Sequence, residues 1–154
     1  MKGRTTAVAL AVVLPLAVGL PLREQLRYYD SHRTGDRATV VPPGGTGRLD
    51  HASWRVRDLR AVPTGVRVRL EETALDDKGT MESLDTEFAV FDRSGRSWSA
   101  RTVSGSDPSL PGETALLTLS AEVPAHVAGQ VELVVRHQPL KPVPGPAPAL
   151  RFRR

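Results

Sequence analysis

Short segments of alternating apolar and polar residues constrain the fold of this 154-residue chain more than any other feature. Residues 54–57 alternate apolar side chains with arginine, and residues 66–70 do so again after the chain-breaking Pro63-Thr64-Gly65. Further alternation follows at residues 115–123 and 131–135. Because successive side chains of a strand point to opposite faces, this period of two predicts half-buried β-strands.

The first two segments predict a β-hairpin. If residues 61–65 form its loop, the register places Arg57 opposite Arg69 and Arg55 opposite Glu71. One face of the hairpin would then be buried, and its members would be Trp54, Val56, Val66, Val68 and Leu70.

A second hairpin is predicted from residues 88–91 through residues 96–103. The intervening Asp92-Arg93-Ser94-Gly95 has Asp first and Gly fourth, as type I turns prefer. A proline-rich crossing at residues 139–148 then leads to a short last strand at residues 150–152. About seven strands at this spacing predict an all-β, immunoglobulin-like β-sandwich. Its predicted core includes Trp54, Val68, Phe88, Val90, Leu117, Leu119, Leu133 and Val135.

Composition agrees with many short strands joined by turns. The chain has 13 Gly and 13 Pro, and it has no cysteine. The missing cysteines exclude a disulfide scaffold and a thiolate metal site, and the length suits one ordinary domain.

The amino terminus carries a separate membrane address. Residues 5–22 form an uncharged run rich in Ala, Val and Leu, preceded by Lys2 and Arg4 and followed by Arg23. Eighteen residues of helix span only about 27 Å, the lower limit for a hydrocarbon core. The run therefore predicts either a transmembrane helix or a cleaved signal peptide.

We expect the apolar run to be a retained anchor. Tyr28 and Tyr29 follow it and suit the headgroup level of a membrane. The alternative is cleavage near Ala17-Val18-Gly19, which would release a secreted protein. The short basic leader resembles an export signal, so we expect a single-pass protein of the cytoplasmic membrane with its C-terminal domain outside.

Three regions follow from these patterns. Residues 1–29 are predicted to be the anchor or signal segment. Residues 30–47, which are polar and end in Val41-Pro42-Pro43-Gly44-Gly45, are predicted to be a flexible stalk. Residues 48–154 are predicted to form the β-sandwich.

The order of elements resembles a family of bacterial extracytoplasmic immunoglobulin-like domains of unknown function. The resemblance rests on the strand at residues 66–70 before an acidic loop, on the hairpin from Phe88 to Trp98, and on the strand that closes at Val123-Pro124 before residues 131–135. It implies a membrane-anchored, actinobacterial binding or accessory domain without catalytic residues. Many members are held by a lipidated cysteine, which this chain lacks.

Charge argues against one function class and suggests another. The chain has a formal net charge of +4, but residues 30–154 hold 17 basic and 16 acidic side chains. Such a balance offers no general excess for nucleic acid. The acids concentrate in residues 71–92, and the candidate interaction surface for an envelope protein or anionic polymer consists of Arg55, Arg57, Arg67 and Arg69. We expect the acidic segment to neutralise Arg57.

Catalytic and metal-binding motifs are weak. The four histidines have no metal-ligand spacing, and we expect no metal, no cofactor and no enzyme activity. The alternative function is a small cell-envelope hydrolase using His51 with Asp50, although no nucleophile elbow accompanies them. The acidic loop around residues 76–85 lacks the order of a calcium-binding loop.

Overall fold

A computed structural model of the chain describes residues 38–80, 86–137 and 147–154. Within these ranges it contains nine strands and one short helix. The predicted membrane segment at residues 5–22 lies outside them. The elements are β1 (Thr39–Val41), β2 (Gly47–Leu49), β3 (Ala52–Val62), β4 (Gly65–Ala74), β5 (Thr86–Phe91), β6 (Ser97–Ser104), β7 (Thr114–Ala121), α1 (Ala125–Ala128), β8 (Glu132–His137) and β9 (Ala149–Phe152).

The strands form two layers that share β6. Sheet A has the order β1-β9-β8-β5-β6, and sheet B has the order β6-β7-β4-β3-β2. The first half of β6 pairs with β5, and its second half pairs with β7. All described pairs are antiparallel except β1 with β9. The order β3-β4-β7-β6 against β5-β8-β9 is that of the A-B-E-D and C-F-G sheets of an immunoglobulin constant domain.

The core lies between the two sheets. Trp54 of sheet B is fully buried, and its ring meets that of Phe88 in sheet A edge to face, with centroids 5.7 Å apart. All eight predicted core residues are buried, which confirms that part of the prediction. A smaller apolar cluster, on the outer face of sheet A, contains Ala89, Phe91, Val134 and Ala149.

The sandwich begins earlier in the chain than predicted. Thr39–Val41 and Gly47–Leu49 form strands, so at least this part of the predicted stalk belongs to the fold, and the described strands number nine instead of about seven. A Cβ on Gly47 would lie 2.7 Å from Val41 Cγ2 and 2.8 Å from Leu150 Cδ1, so β2 packs closely against β1 and β9 there. Strands of three residues beside Pro42-Pro43 carry no readable alternation, which is why the pattern missed them.

The first hairpin has a shorter loop and one bulge. Arg55 faces Glu71 as predicted, but the register shifts between Val56 and Asp58, so that Asp58 faces Arg69. The predicted pairing of Arg57 with Arg69 is therefore wrong. The loop contains only Pro63 and Thr64, and the bulged Arg57 is the extra residue. Of the predicted buried face, all members are buried except Val56, which is partly buried.

The second hairpin forms as predicted. The amide of Gly95 donates to the carbonyl of Asp92 at 3.2 Å, and Gly95 has a φ of +85°. Asp92 Oδ1 also accepts the amides of Ser94 and Arg96 at 2.9 and 3.0 Å. Burial raises the pKa of Asp92, but hydrogen bonds from Ser94 and Arg96 outweigh it and hold that pKa at about 2.

The remaining alternating segments also form strands, β7 and β8. Between them α1 follows Pro124, and no described helix has the length and hydropathy needed to cross a membrane. The predicted proline-rich crossing lies mostly outside the described residues.

Candidate functional site

The four predicted interaction residues lie on the outer face of sheet B. Arg55 and Arg57 belong to β3, and Arg67 and Arg69 belong to β4. Their alternation with buried residues directs them away from the core, since Val66, Val68 and Leu70 fill the inner face. All four are exposed except Arg55, which is half-buried.

Three further arginines join this face that sequence reasoning missed. Arg48 of β2 lies opposite Ser53, which shares the outer face with Arg55. The bulge in β3 turns Arg60 outward and opposite Arg67. Arg101 arrives with the second half of β6, where it pairs with Ser120 of β7. Only the register of the bulge and the crossing of β6 between sheets reveal the positions of Arg60 and Arg101.

We call this surface the arginine face. Its acidic members are Asp58 and Glu71, so seven arginines oppose two carboxylates and the formal net charge is +5. The near-neutral sum of the body therefore conceals a locally positive surface. The arginines are Arg48, Arg55, Arg57, Arg60, Arg67, Arg69 and Arg101.

Two ion pairs neutralise part of the arginine face. Arg57 Nε lies 2.5 Å from Glu71 Oε1, and Arg60 Nε lies 3.5 Å from Asp58 Oδ2. Glu71 opens the acidic segment, so that segment does supply a neighbour for Arg57. Within the described part of the chain, the other five arginines form no ion pair.

Most of the described acids of residues 71–92 are engaged elsewhere. Glu72 is buried in the core, and Asp92 binds Arg96 within its own turn. Glu87 lies 3.8 Å from Arg136 in sheet A. Glu82 and Asp85 lie outside the described residues. Of the described acids in this segment, Glu71 alone lies on the arginine face.

A polar groove of about 470 Å³ occupies one end of the arginine face. Arg55, Arg57 and Glu71 supply its charged groups. Hydroxyl groups complete the lining, and they belong to Thr46, Ser53, Thr73 and Thr114. Thr73 and Thr114 share a hydrogen bond of 2.7 Å between their hydroxyl oxygens.

Arg55 lines the groove and has no partner among the described residues. Glu71 faces it across the strands, but the Glu71 carboxylate binds Arg57 instead. The Nε of Arg55 is sealed from solvent and has no acceptor among the described residues. A buried donor left unpaired costs about 1–3 kcal/mol, so the present side-chain position of Arg55 is not held by hydrogen bonding.

The two residues of the proposed hydrolase pair do not bind one another. Asp50 and His51 form the two-residue turn between β2 and β3, where Asp50 has a φ of +48°. Their side chains take different partners. Asp50 Oδ2 lies 3.1 Å from His137 Nδ1, and His51 Nδ1 lies 2.7 Å from Asp76 Oδ2. The predicted contact between Asp50 and His51, which the hydrolase triad would need, is therefore wrong.

Asp76 anchors the loop after β4. Its Oδ1 accepts the amides of Lys78 and Gly79, at 2.9 and 3.2 Å. The hydrogen bond to His51 is the main cause that lowers the pKa of Asp76, with burial opposing it. In the described ranges, no three His, Asp or Glu side chains are grouped so as to hold a metal ion.

Among solved structures, the fold is similar to an uncharacterised β-sandwich protein from Clostridium difficile. That similarity has 11% identity and a TM-score of 0.47, and it covers 76% of this chain and 95% of the other. The secreted protein MPT63 from Mycobacterium tuberculosis is also similar, with 11% identity, a TM-score of 0.48 and coverage of 78% and 100%. No family model and no curated protein matches the chain. At this distance neither similarity assigns a function to any residue.

Proposed function

We propose that this chain is a non-enzymatic, membrane-tethered domain outside the cytoplasmic membrane, and that its arginine face binds an anionic envelope polymer. One observation carries the proposal: seven arginines share the face with two acids, and five of the seven have no ion pair among the described residues. Such a surface attracts polyanions through a field that salt screens.

Neutralisation within the fold accounts for two of the arginines. Arg57 is bound to Glu71, and Arg60 approaches Asp58. The opposite pairing of Arg60 with Arg67 brings two like charges together, which is mildly destabilising in a sheet. A polyanion bound over this row would supply the missing countercharge.

The location rests on residues 5–22. Their apolar run and basic leader support export with a retained anchor. Outside the membrane the domain would meet acidic polymers and would be separated from nucleic acid.

Polymer retention tests the binding half of the proposal. The full chain in a nonionic detergent should be retained on immobilised polyglycerol phosphate or polygalacturonate and elute as salt rises. A double variant, Arg67→Gln with Arg101→Gln, should elute at clearly lower salt. Arg93→Gln with Arg153→Gln removes the same charge from exposed positions off the face and is the matched control.

Three results would overturn the polymer proposal. They are absence of retention, equal elution of the two double variants, and stronger retention on duplex DNA or on anionic lipid vesicles. The first would show that the chain does not bind these polymers, and the second that binding does not involve the arginine face. The third would show that the face binds another class of partner.

Carbonate extraction with protease shaving of intact cells tests the location. We expect the protein to remain with the membrane and its body to be cut from outside. A released form with a new amino terminus after Gly19 would replace the anchor with a cleaved signal peptide.

A further inference from the structure

We infer that the groove beside Arg55 is a specific site for one monoanionic group of the polymer, with Arg55 as its principal ligand. This inference rests on the proposed function and deepens it. It distinguishes a formed site within the arginine face from the diffuse attraction of the remaining arginines.

The charge of the groove selects the ligand class. Its lining contains Arg55, Arg57 and Glu71, and the last two neutralise each other at 2.5 Å. One uncompensated guanidinium remains. A single positive charge matches a phosphodiester or a carboxylate, each of which carries one negative charge, better than a doubly charged phosphate monoester.

Arg55 can engage such a group without breaking a protein contact. Among the described residues its Nε has no acceptor in the present position, and Glu71 is held by Arg57. Turning the guanidinium toward a ligand oxygen therefore sacrifices no described hydrogen bond. It would instead let the planar guanidinium donate two parallel hydrogen bonds to the two oxygens of one anionic group.

The hydroxyl groups suit the rest of a repeat unit. Thr46 comes immediately before β2, and Gly47 pairs with Trp54, so Thr46 lies beside Arg55. In the Thr73–Thr114 pair one hydroxyl donates to the other, which leaves the second hydrogen free for a ligand.

Side-chain NMR of the full chain in nonionic detergent tests the site directly. The probes are a glycerol phosphodiester and galacturonate, with glycerol phosphate monoester for comparison. We expect the Nε–H resonance of Arg55 to shift saturably with at least one monoanion, while those of Arg67 and Arg101 move little. The probe that binds more tightly identifies the phosphodiester or the carboxylate as the natural group.

The Arg55→Lys variant keeps the charge and removes the fork. We expect it to weaken binding of the favoured probe by about tenfold, as loss of a bidentate contact does. Arg93→Lys makes the same change at an exposed position off the arginine face and should bind the probe like the unmodified chain. Equal melting temperatures of the two variants would establish that both fold.

The possible failures are distinct. If Arg55→Lys binds the small probes normally, or if all the arginine resonances shift alike, the groove is not a site, although polymer retention still stands. If the probes bind at Arg55 but neither polymer is retained, the proposed function is wrong, because the arginine face then does not bind an anionic polymer. A tighter complex with the monoester would overturn the monoanion assignment.

Discussion

Replacing Gly65 by alanine should lower the stability of the sandwich more than the same change at a glycine whose Cβ would meet open space. Gly65 follows the loop of the first hairpin and has a φ of +138°. A Cβ there would lie 2.1 Å from the carbonyl oxygen of Ala121 and 2.7 Å from the amide nitrogen of Val123. Cβ atoms essentially never lie within 3.0 Å of a non-bonded heavy atom. The end of β7 must therefore move by about 0.9 Å, the difference between 2.1 and 3.0 Å.

The cost has two parts. The unfavourable φ contributes about 1–3 kcal/mol, and a displaced β4–β7 ladder loses about 0.5–1.5 kcal/mol for each weakened hydrogen bond. A total of about 2–4 kcal/mol lowers the melting temperature of a domain this size by roughly 8–16 °C. The strand signal in far-ultraviolet circular dichroism would follow the transition.

Gly95 provides the matched control. It also has a positive φ, +85°, but a Cβ there would meet no atom within 4 Å. Gly95→Ala should therefore cost only the left-handed backbone, about 1–2 kcal/mol, or roughly 4–8 °C. Equal melting temperatures for the two variants would refute the close approach of Gly65 to β7.

Three further predictions concern stability. Arg57→Ala should destabilise the chain by less than about 1 kcal/mol in urea unfolding, because Arg57 is exposed and its ion pair with Glu71 is only half-buried. Unchanged or raised stability would contradict this pairing. Asp92 has a pKa of about 2 in the fold against 3.8 ordinarily, so its stabilising contribution is complete above pH 3.8 and is lost as the pH falls toward 2. The free energy of unfolding of Asp92→Asn, measured from about pH 2 to 6, should therefore depend less on pH than that of the unmodified chain. The same pH dependence in both proteins would contradict this assignment. Trp54→Ala should cost about 3–5 kcal/mol, since the ring is fully buried against Phe88; a cost below about 1 kcal/mol would place Trp54 outside the core.

The sequence predicted those features that repeat along the chain. Alternation located β3, β4, β7 and β8, because a buried face selects apolar residues at every second position. The turn at Asp92 was also predictable, since Asp and Gly suit its first and fourth positions. Both signals are local, so they needed no knowledge of the partner strands.

Features that depend on distant partners were not predictable in the same way. β1 is a strand because β9 lies beside it, and three residues carry too little pattern to announce that pairing. The bulge at Arg57 adds one residue between Val56 and Asp58, and no residue type marks it. The same limit explains why Asp50 and His51, adjacent in sequence, bind different side chains.

Stability alone gives no account of the arginine face. The outer face of a sheet needs only polar residues, and β7 meets that need with Thr118 and Ser120. On the neighbouring strands, Arg60 stands opposite Arg67, a pairing of like charges that a sheet tolerates at a cost. An outward positive field has a physical use when a polyanion completes it, because the bound charges then relieve the repulsion that the folded chain leaves in place.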